Sequence, residues 1–377
     1  VSEFRSGHHF LQIPGPTNVP ERVLRAIDRA TIDHRGPDFA ELALDCIRLA
    51  KPVFQTSGPV IIWPASGSGG WEAALVNTLS PGDKVLMAET GQFAALWSKL
   101  ATRMGLDVEV IPGDWRHGVD PDAIGARLAD DRSHAIKAVA VVHNETSTGV
   151  TSRVADVRAA IDRAGHPALF FVDTVSSLGS LDFRHDEWRV DVTVGGSQKG
   201  LMLPPGLAFN AISDKAIAAS KTARLPRSYW SWDDMLESNV TGWFPYTPAT
   251  NLLYGLREAL TTRRAVRGWG LDLVSVDPRE YSDTVTAVYV PDGFDADALR
   301  ATILERFNMS LGTGLARLKG KVFRIGHLGS INDLMLAGTL CGVQMGLDLA
   351  GIPHGDGVSP ALAYLANPAA ARSLAAV

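Results

Sequence analysis

Seven short apolar runs punctuate the first two thirds of the chain: PVIIWPA (59–65), KVLMA (84–88), DVEVI (107–111), IKAVAVVH (136–143), ALFFVD (168–173), VDVTVG (190–195) and LAFNAI (207–212). Between several of them lie GGWEAALVNTL, FAALWSKLATRM, PDAIGARLAD and SRVADVRAAIDRAG, which carry a helical pattern. Runs that are apolar throughout predict strands covered on both faces. Their alternation with helices predicts a mostly parallel sheet between helical layers. In the last of those helices Ser152 is a candidate N-cap and Gly165 a candidate stop. After about residue 255 the rhythm changes. DTVTAVYV (283–290) alternates like a half-covered strand, DADALRATILERF reads as a helix, KVFRIG (321–326) as a strand and NDLMLAGTLCGVQMGLDLA as a final helix. The expected organisation is an N-terminal arm (1–20), a large α/β domain (21–255) and a smaller C-terminal α+β domain (256–377).

The bulk properties narrow the functions. A net charge of −5 leaves no electrostatic footprint for nucleic acid. The basic cluster TTRRAVR (261–267) reads as a solvated helix face. Two distant cysteines, Cys46 and Cys341, sit in apolar helical contexts and read as buried free thiols. Without a Cys/His cluster no metal site is expected. The most apolar long window, 334–353, contains Asp348 and several glycines, so a buried helix is expected rather than a membrane span. The N-terminus shows no signal-peptide pattern, and the expected location is the cytoplasm.

Three stretches carry candidate chemistry. ASGSGGWEAAL (65–75) follows a strand and opens a helix. Small residues there let backbone N–H groups approach an anion at the helix N-terminus. The spacing fits neither a dinucleotide fingerprint nor a P-loop, and taken alone the stretch is better explained by a glycine turn for tight strand–helix packing. FFVDTVSSLGS (170–180) places Asp173 at the end of an apolar strand, where ligands bind in open α/β sheets. VTVGGSQKGLMLPPG (192–206) places Lys199 just past another strand end. A buried amine has a lowered pKa and is a nucleophile for carbonyl chemistry. An anion cradle, a strand-end acid and a strand-end lysine, in that order, are the parts that pyridoxal phosphate requires.

These stretches, with IPGPTNVP (13–20), DHRGPDF (33–39), HNETSTGV (143–150), PYTPATNLLYGLREAL (245–260) and KVFRIGHLG (321–329), run along nearly the whole chain. The chain resembles the class V, fold-type I aminotransferases, specifically the serine–, alanine– and aspartate–glyoxylate group. The resemblance implies pyridoxal 5′-phosphate as cofactor, bound covalently through Lys199, with Asp173 on the pyridine nitrogen and Val175 on one ring face. It places Phe93 as the stacked aromatic and Thr146 on the ring 3-oxygen. Ser66, Gly67, Ser68 and Gln198 would hold the phosphate, and Thr247 would reach the phosphate of a second subunit's cofactor in a homodimer. The N-terminal segment would wrap onto that partner. Phe244 stands where some members have a phosphate-binding tyrosine. Arg324 would clamp the substrate carboxylate, with Gly15 and Asn18 close by.

The reaction so implied moves the amino group of L-serine to glyoxylate, giving hydroxypyruvate and glycine. Aspartate or alanine is the alternative donor, and His34 or Arg35 could meet an aspartate's second carboxylate. A class V lyase would need a nucleophilic cysteine on a mobile loop, which Cys341 does not offer. A non-catalytic scaffold would predict loss of Lys199 or Asp173. GGSQK fails the GxSxG pattern of serine hydrolases. The chain is several helical turns shorter after LYGLREAL than its resemblance requires, which predicts a break between about Leu260 and Arg263.

Overall fold

The computed structural model describes residues 9–261, 282, 284–326, 333–359 and 362. The strands are β1 (Phe10–Gln12), β2 (Val60–Trp63), β3 (Lys84–Ala88), β4 (Asp107–Ile111), β5 (Ile136–Val142), β6 (Asn144–Glu145), β7 (Val150–Thr151), β8 (Leu169–Asp173), β9 (Val192–Gly196), β10 (Ala208–Ile212), β11 (Val285–Tyr289), β12 (Met309–Thr313) and β13 (Val322–Gly326). All seven apolar runs are strands of one sheet, in the order β2-β10-β9-β8-β5-β3-β4. Within it β10 alone runs antiparallel, to β2 and β9. Because β10 opposes both, the carboxyl ends of β2, β9, β8, β5 and β3 all open on one edge.

Period-two alternation explains how helices cover both faces. Phe171 and Ala140 point into a core shared with Trp71 and Trp97. Phe170, Val139 and Val141 point the other way, into a core with Ile124 and Ile161. The helices are α1 (Glu21–Ile27), α2 (Pro37–Phe54), α3 (Gly67–Thr78), α4 (Gln92–Arg103), α5 (Pro121–Asp130), α6 (Val154–Arg163), α7 (Asp214–Ser220), α8 (Trp232–Asn239), α9 (Thr250–Thr261), α10 (Ala296–Phe307) and α11 (Asp333–Leu349). Ser152 does not cap α6. The cap position is Arg153, and Ser152 Oγ instead accepts from the Val119 N–H at 3.2 Å. Gly165 does end that helix, at φ +61° just past the Ala164 cap.

A second sheet has the order β1-β12-β13-β11 and packs on α10 and α11. Its edge strand β1 pairs parallel with β12, so Phe10–Gln12 forms part of a sheet of its own chain. Burial explains the placement: Gln12 is fully covered there, and the Asn18 side chain closes the loop by bonding both the N–H and the C=O of Leu11. Cys46 is buried, but Cys341 is half-buried. No helix among the described residues is long and apolar enough to cross a membrane. Neither the expected break between Leu260 and Arg263 nor the basic stretch beyond Thr261 falls within the described residues.

Candidate active site

The open edge of the large sheet holds a cavity with an empty volume of about 500 Å3 counted out to its mouth. Nine of the residues singled out from the sequence line it together: Ser66, Gly67, Ser68, Phe93, Thr146, Asp173, Val175, Gln198 and Lys199. They come from five separate segments. The sheet brings them together because each segment leaves the carboxyl end of a strand at the same edge.

Asp173 is the last residue of β8 and sits beside Val194 of β9. Its carboxylate accepts the Val175 N–H at 2.6 Å and the Trp71 indole N–H at 2.9 Å, one on each oxygen. Burial pushes its pKa up to about 7, with the nearby Glu145 charge adding to the rise; the two hydrogen bonds and Lys199 oppose it. Lys199 follows β9 by one turn and is also buried. Its amine donates to the Pro14 carbonyl at 2.6 Å. Burial, with repulsion from Arg324, brings its pKa down to about 8. The aspartate is thus harder to ionise than usual and the lysine easier to neutralise.

Helix α3 begins at the cavity. Its cap residue Ser66 makes no side-chain bond to the helix, which leaves that hydroxyl and the first N–H groups facing the opening. A Cβ on Gly67 would run into Val175, so only glycine lets the helix start this close to Asp173. The side-chain oxygen of Gln198 is buried at the same place with no partner. Phe93 lies in the first turn of α4, and that turn is held from across the sheet edge. Glu145 accepts from the N–H groups of Phe93 (3.1 Å) and Ala94 (3.2 Å) and from the Ser147 hydroxyl (2.7 Å). Burial raises the Glu145 pKa.

Arg324 lies in β13, paired with Ala287 and Gly312. It is 7% exposed, and donates from Nε to the Thr313 carbonyl (2.8 Å) and from Nη1 to the Thr146 carbonyl (2.7 Å). Those two bonds fix the plane of its guanidinium next to the cavity. Burial lowers its pKa to about 10. Among the described residues no carboxylate forms an ion pair with it. Gly15 packs directly on Lys199, where any side chain would overlap the lysine's own carbons, and its φ of +122° suits glycine.

Two residues fall elsewhere. Asn18 spends its side chain on Leu11, and Thr247 is exposed, outside this lining. Arg35 is exposed; His34 is half-buried with its Nε2 unpartnered. Sequence reasoning missed Trp71, Asn144 and Ser176, which also line the cavity, and Glu145 and Pro14 behind them. Trp71 was discernible as a tryptophan one helical turn past the glycine-rich cradle, but its partner depends on how α3 sits over β8.

Residues 9–261 match the family described as aminotransferase class-V. A serine–glyoxylate aminotransferase of Methylorubrum extorquens is 48% identical over 395 aligned positions, covering 97% of this chain and 98% of that one. An L-aspartate–glyoxylate aminotransferase of Paracoccus denitrificans is 46% identical, with the same coverage of both chains. The fold of pyridoxamine–pyruvate aminotransferase from Mesorhizobium loti superposes with a TM-score of 0.87 at 27% identity, over 97% of this chain and all of that one. The alignment to the Methylorubrum protein is longer than this 377-residue chain, so that relative carries residues that have no counterpart here.

Proposed function

The chain belongs to the class-V aminotransferases, and on that premise we propose that it transfers the amino group of L-serine to glyoxylate, giving hydroxypyruvate and glycine, with pyridoxal 5′-phosphate as cofactor. The observation that carries the proposal is the pair at the sheet edge. A buried aspartate with its pKa raised to about 7 and a buried lysine with its pKa lowered to about 8 face one cavity.

The residues fit the cofactor. Asp173 is a buried carboxylate whose two direct donors are both uncharged, which is the environment a pyridinium N–H would complete. The uncapped start of α3 suits a phosphate, and Gln198 lines the cavity beside it. Val175 and Phe93 offer apolar surface for a flat ring. When bound, pyridoxal phosphate supplies an aldehyde carbon that condenses with amines and a protonated ring that accepts the electrons released at Cα. Everything else falls to the protein. Arg324, held in one plane by two carbonyls, pairs with the substrate α-carboxylate and orients the Cα–H bond. Lys199, partly neutral near pH 7, would take the Cα proton at Nζ and deliver it to the cofactor's former aldehyde carbon. Asp173 keeps a proton on the ring nitrogen. Glyoxylate carries its carboxylate to the same arginine, so the two substrates alternate and the kinetics are ping-pong.

The homology to the Paracoccus protein supports one second reading, with L-aspartate as donor. His34 and Arg35 are the cations that would serve its second carboxylate. The same proposal makes the working enzyme a cytoplasmic homodimer, in which Thr247 acts across the interface; exposed Val240 and Trp243, close to it in sequence, supply apolar surface for that contact. Residues 21–255 and 256–377 are then its two domains, one holding the cofactor and the other the substrate carboxylate. Incubating the purified enzyme with glyoxylate and each of L-serine, L-aspartate and L-alanine tests the donor. Glycine formation fastest with serine is expected. Glycine formed only with aspartate would transfer the assignment to the second reading, and none with any donor would end both.

A further inference from the structure

The indole of Trp71 is a buried donor that the mechanism above leaves unused. Trp71 lies in α3, four residues after Gly67, and is 4% exposed. Its N–H reaches one oxygen of Asp173 at 2.9 Å, while the Val175 N–H occupies the other at 2.6 Å. The ring cannot turn away, because it stacks on Trp97 with centroids 5.7 Å apart and planes within 13°. The indole of Trp97 is also buried but has no hydrogen-bond partner. One aromatic of the stacked pair is therefore wired to the acid and the other only packs.

We propose that Trp71 is a positioning residue that holds Asp173 ionised and aims it into the cavity, so that one helix serves both ends of the cofactor. The start of α3 faces the phosphate side, and its next turn steers the carboxylate that meets the ring. The inference rests on the reading of Asp173 given above and adds to it a residue that touches the acid from behind.

The physical reason is a balance of charges. Burial and the Glu145 charge disfavour the ionised form of Asp173, and Lys199 favours it. Arg324 faces Glu145 and Lys199. His143, whose N–H bonds the Asp173 carbonyl, is kept neutral by burial, with a pKa of about 4, and turns its ring to Ser177. In this setting an N–H donor on the carboxylate stabilises the charged form more than the neutral one. Removing it raises the pH at which Asp173 loses its charge. A phenylalanine in either position keeps an aromatic ring to stack, so the stack is expected to survive either change.

The test measures cofactor affinity, not turnover. Apo enzyme is titrated with pyridoxal phosphate by equilibrium dialysis across pH 5.5 to about 9 for wild type, Trp71→Phe and Trp97→Phe. Affinity falls as Asp173 protonates. In Trp71→Phe that fall is expected to begin about one pH unit higher than in wild type, the size set by one charge-assisted hydrogen bond. Trp97→Phe keeps the wild-type midpoint. A Trp71→Phe midpoint no different from that of Trp97→Phe would overturn the inference and leave the cofactor assignment intact. A wild-type protein that binds no pyridoxal phosphate at any pH would overturn the assignment beneath it. Should Trp71→Phe fail to fold, 15N-labelled tryptophan in apo wild type answers the same question. One indole N–H signal must titrate near neutral pH, together with Asp173; no titrating indole would overturn the inference.

Discussion

The two sides of the cavity are built differently. The side proposed for the cofactor hangs on the ends of five strands in one large sheet, and Asp173 and Lys199 leave neighbouring parallel strands. The side proposed for the substrate carboxylate hangs on Arg324, in a four-stranded sheet whose edge strand comes from the opposite end of the chain. On the first side, burial of the acid and base sets their chemistry, pushing one pKa up and the other down. On the second, two backbone carbonyls hold a buried cation in one plane. The two meet where Arg324 bonds the Thr146 carbonyl and Asn144 donates to the Thr284 hydroxyl. The lesson is that reactivity and recognition can be altered separately, and each substitution below asks whether that separation holds.

Lys199→Ala should have the largest effect. It removes the base and the point of attachment, so turnover should fall on the order of 10⁴-fold. The fold should remain, because the lysine contributes no ion pair among the described residues. Steady-state kinetics beside a thermal melt checks both. Turnover within tenfold of wild type would move the reactive amine elsewhere. Arg324→Ala comes next. Loss of one charge-assisted contact of about 1.5–3 kcal/mol predicts a roughly 10- to 100-fold loss in kcat/KM for serine and glyoxylate alike. Cofactor affinity should hardly change. If it drops as much as kcat/KM, the two sides are not separable.

Gly15→Ala tests the one place where the N-terminal segment reaches across. A methyl group there overlaps the Lys199 side chain, at a backbone angle few other residues adopt. A strain of about 1–3 kcal/mol should slow the rate at which the cofactor attaches by roughly tenfold or more. An unchanged rate would mean that the lysine swings freely past the loop. The smallest effect concerns stability of the cofactor-free protein. Asp173 has its folded pKa raised, so between about pH 4 and 7 the folded state holds a proton that the unfolded state has lost. Its contribution must therefore destabilise the apo fold as pH rises through that window. Denaturant unfolding of the wild type and Asp173→Asn across it should show the wild type losing stability more steeply.

Much of this was legible in the sequence, for a physical reason. VIIW, KVLMA and LFFVD are buried on both faces, so each announces a strand without help from its neighbours, and the candidate acid and lysine stand at strand ends. FLQ and MSLGT do not announce themselves. The first is three residues long and pairs with a segment about 300 residues away; the second contains glycine and lies between that strand and β13. The Trp71–Asp173 bond was hidden for a related reason: it depends on how a helix docks on a strand. Ser152 had the chemistry of a cap, but the loop below it needed its hydroxyl more. Thr247 is exposed and not part of this cavity's lining, and its expected role needs a second chain.

The most direct test of the central claim is to reduce the purified enzyme with borohydride, digest it, and locate the cofactor by mass spectrometry. The account predicts a single pyridoxyl adduct on the peptide containing Lys199, lost in Lys199→Ala. An adduct on another lysine, or none after pyridoxal phosphate has been supplied, would contradict it.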